Sequence, residues 1–208
     1  MRTTRWITVL AAPFVLMLAS LPAFASDAQC MQRFKTLVAD GNPEVGPVRI
    51  HVFQEVGGSK TENYFHSPGG SSGDGMMQPL KNMGDMWVLF RDKKMYTSMD
   101  AGETWTFGRD MDDAAQPGAQ KEQVRKDLST ADQVLCTQEM LNGLSHDTIE
   151  GQYASTALQG AVTRLKYWVH QDTGFITQHE SRSKMAGTHF YVMQVIEKAP
   201  ELELPNVE

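Results

Sequence analysis

The sequence predicts a mainly β domain of about eight or nine strands, most of them antiparallel, because apolar residues alternate or form short runs along much of the chain. The last third carries the clearest pattern, with three successive strand-like runs at 161–170, 175–182 and 188–198. The first two are joined by Gln171-Asp172-Thr173-Gly174, whose Asp and Gly suit a tight turn. No segment repeats at a fixed interval, so a propeller is not expected.

The first 25 residues have the pattern of a cleavable signal peptide. Arg2 and Arg5 give a positive start, the run 6–21 is almost wholly apolar, and Ala23-Phe24-Ala25 offers small residues for a signal peptidase. A retained membrane anchor is the alternative, but the run is shorter than the ~20 residues that span a bilayer. We therefore predict a signal peptide over 1–25 and a single domain over 26–208, exported to the periplasm as a soluble protein without a transmembrane segment.

A short amphipathic helix is predicted next. Ser26 and Asp27 are both capping residues for its start, and Gly41 with Pro43 ends it. The apolar residues that share one face at helical spacing are Met31, Phe34, Leu37 and Val38.

The two cysteines, Cys30 and Cys136, both lie after the predicted cleavage site. An even number of cysteines in an exported chain predicts a disulfide, and the alternative is two free buried thiols. A bridge closing so long a loop would contribute roughly 4–5 kcal/mol in the chain-entropy view, and it would tie the first helix to the segment that holds Cys136.

After the helix the pattern changes to period two. Val48, Ile50 and Val52 alternate with other side chains, and this strand pairs naturally with 60–66 across Gly57-Gly58. The Gly- and Ser-rich stretch 67–84 is predicted to be a long mobile loop.

The segment 85–91 predicts a strand that is apolar on both faces. Met86, Val88 and Phe90 would share one face, and Trp87 and Leu89 the other, so that each face needs packing over it. Further strands are predicted at 93–98, 104–108, 133–136 and 148–155, with a helix at 122–128.

The run from Ser98 to Trp105 resembles the Asp-box, S-x-D-x-G-x-T-W, of sialidases and other β-rich proteins. Its chemistry is local, since Asp100 can accept hydrogen bonds within the turn and Gly102 can adopt positive φ. Only one copy is present, so we interpret it as a structural element of a hairpin.

The composition argues against nucleic acid binding and against catalysis. The chain is acidic, with a formal net charge of −6 and no basic run. It has no phosphate-binding loop, so we predict no enzyme, no catalytic residue and no cofactor. The histidines have no zinc-like spacing and are interpreted as surface residues: His51, His66, His146, His170, His179 and His189.

Methionines cluster between residues 76 and 99. Thioethers select Cu(I), so Met76, Met77 and Met83 in the predicted loop form a candidate copper site. Methionine also fills irregular apolar space or lines an adaptable binding surface, and both of these interpretations stay open beside the copper site.

The C-terminal third resembles the LolA-like superfamily of periplasmic lipoprotein and lipid carriers. The segment from Leu165 to Phe175 is similar to a recurring hairpin of that family, in which an aromatic strand is followed by a polar Thr-Gly turn and an apolar residue. Phe190 to Val195 and Glu203-Leu204-Pro205 also fit. The resemblance implies an antiparallel half-open β-barrel with one or two covering helices, and a concave apolar face that binds acyl chains or other hydrophobic molecules.

Strand alternation selects the residues that would line such a face. The candidates are Val48, Ile50, Val52, Met86, Val88, Phe90, Leu165, Tyr167, Val169, Phe190 and Val192. The leading hypothesis is a non-catalytic periplasmic carrier of a lipid-like ligand. The alternatives are a Met-based copper-binding protein and a ligand-free envelope module with a protein partner.

Overall fold

The computed structural model describes residues 27–42, 46–69, 73–111 and 117–207, and the predicted signal peptide at 1–25 lies outside this range. The helices are α1 (Asp27–Asp40) and α2 (Pro117–Asp127). The strands are β1 (Val48–Val56), β2 (Ser59–Ser67), β3 (Gly75–Lys81), β4 (Trp87–Arg91), β5 (Lys94–Ser98), β6 (Thr106–Asp110), β7 (Asp132–Leu141), β8 (Leu144–Ser155), β9 (Ala161–His170), β10 (Ile176–Met185) and β11 (Thr188–Lys198).

Within the described ranges, all eleven strands form one unclosed antiparallel sheet, in the order β6-β5-β4-β3-β2-β1-β11-β10-β9-β8-β7. Strands that pair are neighbours in sequence, except that β1 pairs with β11, and β6 and β7 form the two edges of the sheet. The expected mainly β, antiparallel fold with two helices is confirmed, and the strand number exceeds the expected eight or nine.

The prediction of one long loop over 67–84 is wrong at its centre, where β3 pairs with β2 and β4. The glycines that suggested a loop include Gly75, which is a strand residue. A Cβ at this position would lie 2.4 Å from the ring of Phe65, so glycine is required by a close approach of β2 and β3. Pro79 lies beside a register shift, where a proline is tolerated in a strand.

The register divides the sheet into two faces, because directly paired residues on antiparallel strands point to the same side. The helices α1 and α2 contact each other, α1 contacts β7 and β8, and α2 contacts β8. Phe34 of α1 lies against Gly151 of β8, and we call this side of the sheet the helix face. The other side is the opposite face.

Three contacts fix α1 to the helix face. The predicted disulfide between Cys30 and Cys136 is confirmed and links α1 to β7. The guanidinium of Arg33 donates to the Asp147 carboxylate on β8 at 2.7 Å. The fully buried ring of Phe34 sits over Gly151, where a Cβ would come within 3.0 Å of the ring.

Asn42, which follows α1, connects the end of this helix to the start of β10. Its side-chain amide donates to the Ile176 carbonyl at 3.1 Å, and its side-chain oxygen accepts from the Ile176 N–H at 2.7 Å. A single side chain thereby satisfies the backbone at the start of β10, beside a bulge in the β9–β10 pairing.

The helix α2 is joined to the end of β8 through Asp127. This buried carboxylate accepts from the Thr156 N–H at 2.8 Å and from the Thr156 hydroxyl at 2.6 Å, and Gln123 adds a third bond. Burial raises the pKa of Asp127, but these hydrogen bonds outweigh that effect and lower it. Arg125 pairs with Asp40 at 2.8 Å and links the two helices.

On the opposite face, the C-terminal segment covers β4. The guanidinium of Arg91 donates to the carbonyls of Leu204 and Pro205. Leu89, which shares this face with Arg91, is fully buried, and Val88 on the helix face is 6% exposed. The two central residues of β4 are therefore buried on opposite faces, as the prediction for this strand requires, whereas Trp87 and Phe90 are half-buried.

The Asp-box forms the turn between β5 and β6. Asp100 accepts from the Ser98 hydroxyl at 2.6 Å, from the Thr104 N–H at 2.9 Å and from the Thr104 hydroxyl at 2.5 Å. Gly102 has a φ of +91°, and a Cβ at this position would lie 3.3 Å from the Trp87 ring and 3.5 Å from the Trp105 ring. These contacts agree with the interpretation of the motif as a local structural element.

We expect Gly151→Ala to lower the free energy of unfolding by about 1–3 kcal/mol, because the new methyl group overpacks the buried Phe34 ring and the Val134 side chain. Urea unfolding followed by circular dichroism measures the change. The control is Gly46→Ala, since an added Cβ at Gly46 has no atom within 4 Å. Adding Phe34→Leu to Gly151→Ala should give a less than additive loss, and full additivity would contradict the proposed contact.

We expect Asp100→Ala to destabilise the protein most at neutral pH. The Ser98 and Thr104 hydrogen bonds lower the pKa of Asp100 to about 2, below the ordinary value of 3.8. A depressed folded-state pKa contributes stability above the ordinary value and loses it as the pH falls toward 2. Urea midpoints for wild type and variant should therefore converge between pH 4 and 2. Glu103→Ala, a charge change in the same exposed turn, is the control.

Candidate functional site

The register places most of the sequence-predicted cavity residues on the helix face. Cross-strand pairing joins Ile50 with Ile196, Gln54 with Val192 and Val56 with Phe190. The residues that share this face by strand parity and pairing are Val48, Ile50, Val52, Val88, Phe90, Leu165, Tyr167, Val169, Phe190 and Val192. Met86 is the exception, since it precedes β4 and is 44% exposed.

These residues fall into two zones that differ in burial. Leu165, Tyr167 and Val169 on β9 are 5%, 7% and 2% exposed and belong to the core that contains Phe34. Val48 and Val88 are also buried. The remaining five are only half-buried, and all lie on β1, β4 or β11, away from the strands that the helices contact: Ile50, Val52, Phe90, Phe190 and Val192.

Three further half-buried apolar residues lie on the same face and were not among the predicted cavity residues: Phe65, Met77 and Ile196. Phe65 on β2 pairs with Ile50 on one side and with Met77 on the other. Ile196 lies opposite Ile50 on β11 and packs against the core under the helices. Alternation in β2 could have identified Phe65, whereas Met77 was hidden in the predicted loop. We call the half-buried set the open patch: Ile50, Val52, Phe65, Met77, Phe90, Phe190, Val192 and Ile196.

A row of polar side chains crosses the same face. His179 on β10 pairs with Gln194 on β11, which pairs with Val52, and Val52 pairs with Asn63. Burial lowers the pKa of His179 to about 4, against the raising effect of a hydrogen bond with Gln194. Its ring stacks on Tyr167 with a centroid distance of 4.8 Å. This histidine is therefore neutral at pH 7 and adds no charge to the helix face.

The candidate copper ligands are not brought together. Met76 and Met77 are neighbours on β3, so Met76 pairs with His66 on the opposite face and Met77 with Phe65 on the helix face. Met83 lies in the bend between β3 and β4. Within the described part of the chain, no group of three His, Cys, Asp or Glu side chains could hold a metal ion.

The interpretation of all six histidines as surface residues is wrong for three of them: His179, described above, and His66 and His146. His66 is 6% exposed, and its Nε2 lies 3.1 Å from the Gln78 side-chain oxygen. His146 is 2% exposed, and its Nδ1 donates to the Leu144 carbonyl at 3.0 Å. Both lie on the opposite face, where cross-strand neighbours cover them.

Among the described residues, no helix combines the length and the apolar character needed to cross a bilayer. Comparison with family models gives no match. Comparison with curated proteins also gives no match.

Solved structures do match, and the LolA superfamily is among them. A LolA superfamily protein from Nitrosomonas europaea aligns over 84% of this chain and 94% of its own length, at 9% identity and a TM-score of 0.34. In the MucA/MucB complex of Pseudomonas aeruginosa, the match covers 84% of this chain and 59% of that one, at 12% identity and a TM-score of 0.45. A DUF1329 family protein from Desulfovibrio piger aligns over 81% and 91%, at 12% identity and a TM-score of 0.31. The first of these carries the name of the superfamily that the sequence resembles.

Proposed function

We propose that this protein is a non-catalytic periplasmic carrier that binds a lipid-like molecule on the open patch of the helix face. The observation that carries the proposal is the register, which joins apolar residues from distant parts of the sequence into one half-exposed surface. Phe90 on β4 and Val192 on β11 belong to this surface and are separated by about a hundred residues of chain.

The driving force would be the removal of apolar surface from water. Burial of apolar surface contributes about 25 cal/mol per Å², so an acyl chain laid across several of these side chains could be held without a charged contact. Phe65, Phe90 and Phe190 give the patch most of its apolar area, since aromatic side chains are large. Met77 adds a flexible side chain that can adapt to different guests.

The uncharged polar row in the middle of the helix face favours a guest without net charge. His179 is neutral at pH 7, and Gln194 and Asn63 are uncharged at every pH. An ester, amide or hydroxyl group could exchange hydrogen bonds with such side chains, while an ion would meet no opposite charge there. A neutral amphipathic molecule therefore suits the face better than a salt.

Export and domain organisation form part of the same proposal. We infer that residues 1–25 are removed on export and that the chain from residue 26 acts as one domain. The disulfide between Cys30 and Cys136 supports an oxidising compartment, because structural disulfides persist there.

Native mass spectrometry of the protein purified from the periplasm, combined with organic extraction, tests the carrier function. An added mass that matches an extracted lipid would support the proposal and identify the ligand class. A protein at its bare, disulfide-bonded mass, which also fails to take up a fluorescent fatty acid, would rule it out.

We expect Phe90→Glu and Val192→Glu to reduce fatty-acid affinity by about 10- to 100-fold. Each replaces an apolar contact worth about 1.5–3 kcal/mol by a charge that the guest cannot solvate. The matched controls are Phe107→Glu and Val195→Glu, which place the same charge on the opposite face. Circular dichroism and a thiol assay check that all four variants fold with an intact disulfide. Equal losses in variants and controls would exclude the open patch as the site.

A further inference from the structure

A charged groove of about 260 Å³ lies between β8 and β10. Its lining includes Glu150, Arg164, Lys166, Trp168, Glu180 and Arg182. By strand parity and pairing, all six belong to the opposite face of the sheet. The groove is therefore separate from the open patch, and neither the disulfide nor the helices contribute to it.

Two arginines occupy directly opposed positions in this groove. Arg164 on β9 and Arg182 on β10 are cross-strand partners, an arrangement of like charges that destabilises a sheet. Arg164 reaches toward β7 and β8, where it donates to the side-chain oxygens of Gln133 at 3.2 Å and Gln152 at 3.4 Å. Arg182 lies over the Tyr191 ring, 5.3 Å from its centroid. The two guanidiniums lean apart, and the groove lies between them.

Three cationic side chains line the groove, Arg164, Lys166 and Arg182, and the nearby carboxylates pair with only two of them. Glu139 accepts from Lys166 at 2.6 Å and from the Trp168 indole at 3.0 Å, and the Lys166 hydrogen bond lowers the pKa of Glu139. Glu180 accepts from Arg182 at 2.8 Å. In the part of the chain that the structure describes, the recorded hydrogen bonds of the Arg164 guanidinium go to neutral amides and no ion pair includes it.

We propose that this groove binds a phosphate group between Arg164 and Arg182. Each guanidinium presents parallel N–H donors, and donors from two opposed arginines match the several oxygens of a phosphate better than the two oxygens of a carboxylate. The bound anion would also remove the repulsion between the arginines. Trp168 forms an apolar wall that could contact the group bearing the phosphate.

Two carboxylates limit the affinity of this site. Glu150 pairs across the strands with Lys166, and Lys166 pairs with Glu180, so both acids flank the phosphate position. Neutralising either one should strengthen phosphate binding, and neutralising either arginine should weaken it.

The test is a titration of the disulfide-bonded protein with inorganic phosphate at pH 7, with chloride at equal ionic strength as the reference, followed by calorimetry and by thermal unfolding. We expect Arg164→Gln and Arg182→Gln to reduce phosphate affinity about tenfold or more, since each removes a charge-assisted pair of hydrogen bonds. Arg164→Lys should lose part of that affinity, because it keeps the charge without the fork of donors. Glu150→Gln should raise the affinity.

The matched control is Lys184→Gln, which removes a positive charge from the same face of β10, two residues beyond Arg182 and outside the groove lining. Phosphate binding that is absent in wild type, or equally reduced by Lys184→Gln and Arg164→Gln, would overturn the proposal. A phosphate-dependent rise in the unfolding temperature that disappears only in the groove variants would support it.

Vesicles identify the source of the phosphate. Phosphatidylcholine vesicles with and without phosphatidic acid are compared for Arg164-dependent binding. Binding to the phosphatidic acid vesicles would assign the site to a lipid headgroup, and binding of inorganic phosphate alone would assign it to free phosphate. Fatty-acid affinity of the open patch should stay unchanged in the groove variants, so this proposal can fail or succeed independently of the carrier function.

Discussion

The pairing of β1 with β11 is the constraint on which the rest of the structure depends. In the described chain, all other strand pairs join sequence neighbours, so each can form with a short loop closure. The β1–β11 pair alone joins strands from the two ends of the sheet-forming sequence, and every residue of β1 has a partner on β11. It turns two smaller meanders into one sheet and places Ile50 beside Ile196.

The helix α1 divides this sheet into a fixed half and an open half. Three contacts connect α1 to β7 and β8: the disulfide, the Phe34 ring over Gly151 and the ion pair between Arg33 and Asp147. A bridge across 106 residues restricts the unfolded chain by about 4–5 kcal/mol in the chain-entropy view. The helices occupy only this end, and on the helix face of β1, β4 and β11 the side chains of Ile50, Val52, Phe90, Phe190, Val192 and Ile196 remain half-exposed.

The two faces of the sheet carry different chemistry because strand side chains alternate. The helix face combines apolar side chains with neutral polar groups, and burial keeps His179 uncharged. The opposite face carries most of the cation–aromatic contacts, such as Lys166 over Trp168 and Arg182 over Tyr191. An apolar guest on β1–β4 and β11 and an anion on β8–β10 would thus occupy different strands and opposite faces without competing, and each site can be altered without touching the other.

The sequence by itself determined the strands whose apolar periodicity is strong, including β9 and β11 with their bounds, the first helix, the Asp-box turn and the disulfide partners. It also identified most of the apolar residues of the helix face, because alternation fixes side-chain direction within a strand. Only the tertiary structure decided that Gly75–Lys81 is a strand, since its glycine accommodates a ring from β2. The strand conformation of this segment in turn places Met76 and Met77 on opposite faces. Tertiary pairing also divided the apolar face into buried and open zones and opposed Arg164 to Arg182, because register and helix placement are set between distant segments rather than within them.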